Sequence, residues 1–287
     1  MKDFKGRTAF VTGGASGIGL GMARAFGRAG MNVVIADIDT IAAKAAVEGL
    51  AAEQIKAVAV LVDVTDRASV ESAALDAVAA FGKIHVVCNN AGIGVGGLIG
   101  GVKERDWDWL IDVNLKGVVY GTETFVPLIR SHGEGGHIVN TASLAGMFTA
   151  PGMEAYSATK FAVVAMSEGW AMQLGPQNIG VSVLCPGLVS TRIYDGARTR
   201  QDKYGGKVES DAGKAMFQAG IDPDIVGARV LEGVKAGELY IISHPNFRSI
   251  VERRLDAIRA AFDAADRSEV LKQVKVWPPT GEAARNN

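Results

Sequence analysis

Thr8-Ala9-Phe10-Val11-Thr12-Gly13-Gly14-Ala15-Ser16-Gly17-Ile18-Gly19 is the stretch on which the fold turns. A β-branched and aromatic run gives way to a glycine cluster, and a segment of helical period follows. Glycines at such a junction let the backbone turn tightly and approach an anion closely. They also open a helix whose N-terminal NH groups and dipole favour negative charge. The spacing here, Gly13-x-x-x-Gly17-x-Gly19, differs from Gly-x-Gly-x-x-Gly. Alone it suits a plain turn as well as a cradle for a pyrophosphate.

The pattern of that stretch repeats along the chain. Short Val/Ile-rich runs predict strands near Thr8–Thr12, Asn32–Asp37, Ala57–Val62, Ile84–Cys88, His137–Ala142, Gly180–Leu184 and Glu238–Ile242. Between them, segments of helical period predict helices near Gly17–Arg28, Ile41–Glu53, Arg67–Phe81, Lys103–Ser131, Glu154–Leu174 and Pro223–Lys235. Such alternation predicts the α/β class: a doubly wound parallel sheet of about seven strands with helices on both faces. Residues 1–244 then form one domain, with a long connection at 190–220 of the length that usually serves as a lid or binding loop. Residues 245–287 read as a C-terminal helical extension, frayed from Pro278.

Composition narrows the function classes. Of 287 residues, 48% are hydrophobic and 21% charged, enough apolar material for a large core. Lys and Arg total 30 against 31 Asp and Glu, a net charge of -1 that gives no electrostatic case for nucleic acid or an anionic membrane. The N-terminus lacks a signal-peptide pattern and no apolar run is long enough to span a membrane. Cys88 and Cys185 do not show the partner spacing of a zinc site, so no metal site is expected and both read as buried thiols of a reducing compartment. A cytoplasmic location follows from that reading.

The second predicted strand ends in Asp37, eighteen residues past Gly19. An acid there is placed to accept bonds from the ribose hydroxyls of a dinucleotide and to repel a 2′-phosphate, although a strand-end Asp also serves as a helix cap. No Lys or Arg stands at Gly14, Ala15 or Ser16 to attract such a phosphate. The reading favours NAD over NADP.

Tyr156 and Lys160 lie four apart on a predicted helix and therefore share a face, with Ser143 arriving from the end of the preceding strand. A phenol, an ammonium and a hydroxyl can together bind a carbonyl oxygen and move a proton on or off it. A cation about 4 Å from the phenol, in an effective dielectric of about 20, interacts by about 4 kcal/mol. That interaction predicts a phenol pKa lowered by up to roughly three units.

With these motifs in order (Thr12-Gly13 through Gly19, Asp63, Asn89-Asn90-Ala91-Gly92, Asn114, Ser143, Tyr156 with Lys160, and Pro186-Gly187), the chain from about Lys5 to His244 closely resembles the short-chain dehydrogenase/reductase family. The resemblance implies a Rossmann-type fold and hydride transfer between NAD and a secondary alcohol or its ketone. Tyr156 is then the general acid/base. Lys160 also bonds the nicotinamide ribose, Ser143 orients the substrate oxygen, and Asn114 holds a water that relays protons to Lys160. Gly13, Ser16, Gly17, Ile18 and Gly19 would cradle the pyrophosphate, and Asp63 and Val64 would meet adenine. Asn90, Ala91 and Gly92 would pass close to the cofactor. Pro186 and Gly187, with the Val189 backbone and the Thr191 hydroxyl, would clamp the nicotinamide carboxamide. Dimers or tetramers through the helices at 103–131 and 154–174 are also implied.

Specificity is expected from Val95, Leu98, Met147, Phe148, Met153, Tyr194, Met216 and Phe217, an apolar set suited to a hydrophobic or aromatic substrate. Arg192 and Arg198 are the cations in reach of a charged substrate group. The strand Gly136–Ser143, the ending Tyr240–Pro245 and the helical tail bear a looser likeness to bacterial dehydrogenases of benzylic alcohols. Two alternatives stay open: an NADP-linked ketone or acyl-chain reductase of the same fold, and a dinucleotide-sensing protein without turnover.

Overall fold

Seven parallel strands, β1 (Thr8–Thr12), β2 (Asn32–Asp37), β3 (Ala57–Leu61), β4 (Val86–Asn89), β5 (Gly136–Thr141), β6 (Ile179–Cys185) and β7 (Tyr240–Ile242), form one sheet in the order β3-β2-β1-β4-β5-β6-β7. The computed structural model describes residues 1, 3–209, 211 and 213–273, so the fray expected from Pro278 lies outside the described residues. Register is set by pairs such as Phe10 with Val34 and Val87, and Val139 with Ser182. The strand order reverses at β1 and β4, and a doubly wound sheet opens its ligand crevice there, outside the carboxyl ends of the strands.

Alternation along the strands sends side chains to two cores. Phe10, Val34, Val87 and Ile138 face one layer, where they meet α3 (Arg67–Phe81), α5 (Gly117–His132) and α6 (Glu154–Leu174) through Val70, Ala73, Phe125, Ile129 and Leu174. On the opposite face Ala9, Val11, Val86 and Cys88 pack on Met22 and Phe26 of α1 (Gly17–Arg28) and on Val226 and Val230 of α8 (Pro223–Ala236). Val33 and Ile35 meet Ala43, Ala46 and Leu50 of α2 (Thr40–Ala52). Helix starts follow local chemistry. Asp39 caps α2, Asp66 caps α3, and Asp222 caps α8 with Pro223 in its first turn.

The helix expected over Lys103–Ser131 is interrupted. It consists of α4 (Glu104–Ile111), a π-turn at Asp112–Lys116, and α5. One extra residue is accommodated where Gly117 NH bonds Asp112 O, and this widened turn carries Asn114. Other boundaries differ from the sequence reading by one or two residues, as helix and strand ends do.

The connection at 190–220 is not featureless. It holds 3₁₀ turns at Ile193–Thr199 and Asp202–Tyr204 and a short helix, α7 (Lys214–Gln218). Its two ends meet: Val189 pairs with Ile221, Ser190 NH donates to Ile221 O at 2.9 Å, and Ile221 NH donates to Leu188 O at 3.1 Å. This strap therefore leaves and re-enters the body at a single point. A second compact unit starts at Pro245 and contains α9 (Arg248–Asp266), none of whose residues is buried. Among the described residues, no helix is long and apolar enough to cross a membrane.

Candidate active site

The turn after β1 has the strained geometry its glycines allow. Gly13 and Gly17 hold φ of +62° and +54°, and a Cβ on Gly13 would meet Ala91 Cα at 3.0 Å. The loop after β4 is locked onto this turn. Thr12 Oγ1 accepts from Asn90 NH at 2.9 Å and from Ala91 NH at 3.0 Å, while Asn90 Nδ2 donates to Thr12 O at 3.0 Å. Thr12, which the sequence reading placed in the motif but gave no role, is a positioning residue. Ser16 caps α1 in extended conformation without its side chain bonding the helix, and no acid occupies the first turn. With Gly17, Ile18 and Gly19 behind it, that helix start fits a pyrophosphate.

Asp37 is bound into the same unit. Its carboxylate accepts from Ala15 NH at 3.1 Å and from Asp39 NH at 3.0 Å, which leaves lone pairs on each oxygen for two ribose hydroxyls. Burial raises its pKa, while those two NH groups and the Arg198 cation pull the other way. Arg198 was expected near substrate. Here it reaches the field of Asp37 and donates to Asp195 O, and Arg192 pairs with Asp195.

At the carboxyl ends of β4, β5 and β6 the remaining residues converge. Lys160, on the second turn of α6, is 3% exposed and its Nζ donates to Thr141 O at 2.9 Å. It stands 5.6 Å from the centre of the Tyr156 ring. The Ser143 hydroxyl lies close enough to the Tyr156 hydroxyl to draw its pKa down. Ser143 Oγ also accepts from Ala145 NH at 3.1 Å and donates to Pro186 O at 3.4 Å, which ties it to the turn that starts the strap. Asn114, fully buried in the π-turn, bonds both backbone groups of Ile93 at 2.9 Å and reaches Thr159 Oγ1 at 3.4 Å. A Cβ on Gly92 would sit 3.4 Å from Asn114 Oδ1 and 3.6 Å from Lys160 Nζ. An added methyl would thus stand between amide and ammonium at ordinary contact distance from both.

The expected lowering of the phenol pKa is overturned. Burial pushes Tyr156 up to about 12, with the Ser143 bond drawing it back only in part, and burial also pushes Lys160 down to about 8. Desolvation acts on both groups against their charged forms. Lys160 stands beside the ring with one NH on Thr141 O and does not offset the burial of the phenol.

Further out, Gly17 lies against Thr191, whose methyl a Gly17 Cβ would meet at 3.0 Å. The Pro186–Gly187–Leu188 turn rests on His244, which accepts from Gly187 NH at 3.1 Å through Nδ1 and bonds Leu188 O at 3.0 Å through Nε2. Asp63 and Val64 follow β3, and Val64 is buried against Gly117. Of the expected substrate-lining set, Val95, Met147, Phe148, Tyr194 and Phe217 are half-buried, with Tyr194 and Phe217 stacked. Leu98, Met153 and Met216 are exposed.

One group among the described residues has the makings of a metal site: His85, His132 and Glu134, close to the amino ends of β4 and β5 and so remote from the site above. Its donors are committed to the protein. His85 Nδ1 accepts from Thr8 NH and its Nε2 bonds Glu134, while His132 Nδ1 accepts from Glu134 NH and its Nε2 bonds Ile84 O.

Known proteins share this architecture. A family model described as short chain dehydrogenase matches residues 7–202. A C alpha-dehydrogenase of Sphingobium sp. (strain NBRC 103272 / SYK-6) is 38% identical over 265 residues, covering 90% of this chain and 87% of that protein. A CLA biosynthesis dehydrogenase/reductase of Lactiplantibacillus plantarum is 34% identical over 90% of this chain and 95% of its own length. Among solved structures, a short chain dehydrogenase/reductase from Burkholderia phymatum in complex with NAD superimposes with a TM-score of 0.87 at 33% identity, covering 91% of this chain and 97% of that one. On fold, motif order and these likenesses, the chain belongs to the short-chain dehydrogenase/reductase family of oxidoreductases.

Proposed function

We propose that the protein is an NAD-dependent dehydrogenase that interconverts a secondary alcohol, hydrophobic or aromatic in its substituents, and the matching ketone. The observation that carries the reaction is the meeting of Ser143, Tyr156 and Lys160 at the carboxyl ends of β5 and β6, beside the Gly13 turn. When bound, the nicotinamide supplies the hydride acceptor or donor. The chain's own part is to hold the substrate oxygen and manage its proton.

Ser143, fixed by Ala145 and Pro186, presents its hydroxyl to Tyr156 and to a substrate oxygen placed between them. For ketone reduction the high phenol pKa suits an acid, because Tyr156 is protonated at neutral pH. Alcohol oxidation requires the phenolate, and the positive charge of an oxidised nicotinamide favours it. Lys160, with its pKa near 8, exchanges protons close to working pH, and the space beside Gly92 gives it a water path toward Asn114. The apolar residues Val95, Met147, Phe148, Tyr194 and Phe217 support a bulky hydrophobic substrate. The C alpha-dehydrogenase likeness supports oxidation at a carbinol carbon.

Asp37 supports NAD, since a 2′-phosphate would meet a carboxylate held by two backbone NH groups. In this reading the enzyme works in the cytoplasm as a homodimer or homotetramer. The competing reading, an NADP-linked ketone or acyl-chain reductase, has one observation in its favour: Arg198 stands close enough to Asp37 to stabilise its charge. A sensor without turnover has no physical need of Ser143, Tyr156 and Lys160 together. Screening NAD and NADP reduction against aromatic, aliphatic and steroidal secondary alcohols tests the proposal, with Asp37→Ala beside the wild type. NAD preference that collapses in Asp37→Ala supports the assignment. Preference for NADP in the wild type, or an unchanged kcat/KM ratio in the variant, defeats it.

A further inference from the structure

The turn after β6 has its backbone held from several sides. Pro186 O accepts from Leu144 NH at 2.9 Å and from Ser143 Oγ at 3.4 Å, and Leu188 O accepts from Ile221 NH at 3.1 Å. A further hold comes from His244, a buried imidazole just past β7. Its Nδ1 accepts from Gly187 NH at 3.1 Å, so in the neutral ring Nε2 carries the proton and donates to Leu188 O at 3.0 Å. Ser243 Oγ, 2.9 Å from Nδ1, steadies the ring from its other side. A Cβ on Gly187 would meet His244 Cγ at 2.8 Å, so the imidazole fills the place that a side chain there would need.

Leu188 O shares a peptide with the NH of Val189. In a planar trans peptide these two groups point in opposite directions, so whatever fixes the carbonyl also aims the NH. The rung to Ile221 is made by Leu188 O and Ser190 NH, and Val189's own NH and carbonyl take no part in it. We propose that His244 is the positioning residue of the nicotinamide clamp: by holding Gly187 NH and Leu188 O at once, it aims the Val189 NH at the carboxamide oxygen of the cofactor. The assignment rests on the reading that the Val189 backbone and the Thr191 hydroxyl receive that carboxamide. With the imidazole in place both lone pairs of Leu188 O are taken, one by His244 and one by Ile221. Without it the Leu188–Val189 peptide is steered by the strap's rung alone.

The test uses the full chain and follows binding by calorimetry, with NADH and with ADP-ribose, which lacks the nicotinamide. The ratio of the two dissociation constants isolates the nicotinamide half of the cofactor. His244→Ala is expected to weaken NADH about tenfold, the scale of one hydrogen bond, while ADP-ribose stays within about twofold of wild type. In His244→Gln, whose amide nitrogen can reach Leu188 O, NADH is expected to recover to within about threefold of wild type. A residue that merely supported the fold would weaken both ligands and keep the ratio. Both ligands weakened alike in the two variants, or NADH bound by them as in the wild type, overturns the proposal. Thr191→Val separates the two levels. If it weakens NADH selectively while the His244 variants keep the wild-type ratio, only the His244 assignment falls. If the ratio stays at its wild-type value in all three variants, the carboxamide lies elsewhere and the underlying site reading falls as well.

Discussion

The catalytic cradle and the strap are built from different kinds of bond. In the cradle, polar side chains are held largely by backbone groups: Lys160 by Thr141 O, Asn114 by both polar atoms of Ile93, and Asp37 by the NH groups of Ala15 and Asp39. In the strap, side chains hold side chains far away in sequence: Gln201 on Asp63, Tyr204 on Asp112, Arg200 on Asp106. Backbone anchors are fixed by the sheet and survive substitution of neighbours. Side-chain anchors depend on two residues each and on their charges, so the strap is the softer of the two regions.

The sharpest way to break this contrast is at the proton donor. Tyr156→Phe keeps the ring and removes the hydroxyl, and kcat is expected to fall by about 10³-fold, within the range of general acid/base effects. NADH affinity, read by fluorescence titration, stays near the wild-type value. Turnover at more than a tenth of wild type would remove Tyr156 from the proton role.

A second experiment addresses the cost of burying a cation in the cradle. Burial lowers Lys160 to about 8, below its ordinary 10.5, so between those values the unfolded chain binds the extra proton. Stability must therefore rise with pH across that window, and below pH 8 the penalty is fully present. Relative to Lys160→Met, the wild type should gain about 2 kcal/mol between pH 7 and 9.5, measured by urea unfolding. A pH-independent difference would mean that Lys160 is not desolvated.

Gly92→Ala probes the gap between Asn114 and Lys160. In the proposed relay, a methyl 3.4 Å from one polar atom and 3.6 Å from the other would take the place of a water between them. A roughly tenfold loss of kcat is expected, the scale of about 1.4 kcal/mol, with substrate KM little changed. An equal loss in KM would indicate displaced substrate instead.

The smallest effect is expected in the strap. Tyr204→Phe removes the bond to Asp112, a residue of the π-turn that also carries Asn114. Loss of that bond is expected to cost about 1 kcal/mol. Tryptic cleavage at Arg198 and Arg200 should quicken about fivefold while kcat/KM shifts by less than that factor. Cleavage as slow as in the wild type would show the strap held by its base alone.

The same contrast explains what was legible in the sequence. The sheet and most helices were readable because β-branched runs and helical periods act locally, as along β2 and α3. Ser143, Tyr156 and Lys160 were readable because i, i+4 spacing and a strand end suffice to bring them together. The π-turn at Asp112–Lys116 was not, since its hydrophobic period continues through both flanking helices and the break depends on Asn114 finding the Ile93 backbone. Nor was the direction of the Tyr156 pKa, which turns on how much water is excluded and not on which residues are near. The contact of Gln201 with Asp63 carried no signal at all, because it depends on an acid on a distant strand's loop.

The pairing of Val189 with Ile221 has a consequence for how such enzymes diversify. A segment that departs and returns through one rung behaves as a cassette: it can be lengthened, shortened or grafted from a relative with little disturbance to the sheet, because the entropy of closing a loop grows only slowly with its length. In this chain the cassette bears Thr191 and Tyr194 together, so exchanging it would move the proposed carboxamide and substrate contacts in a single transplant.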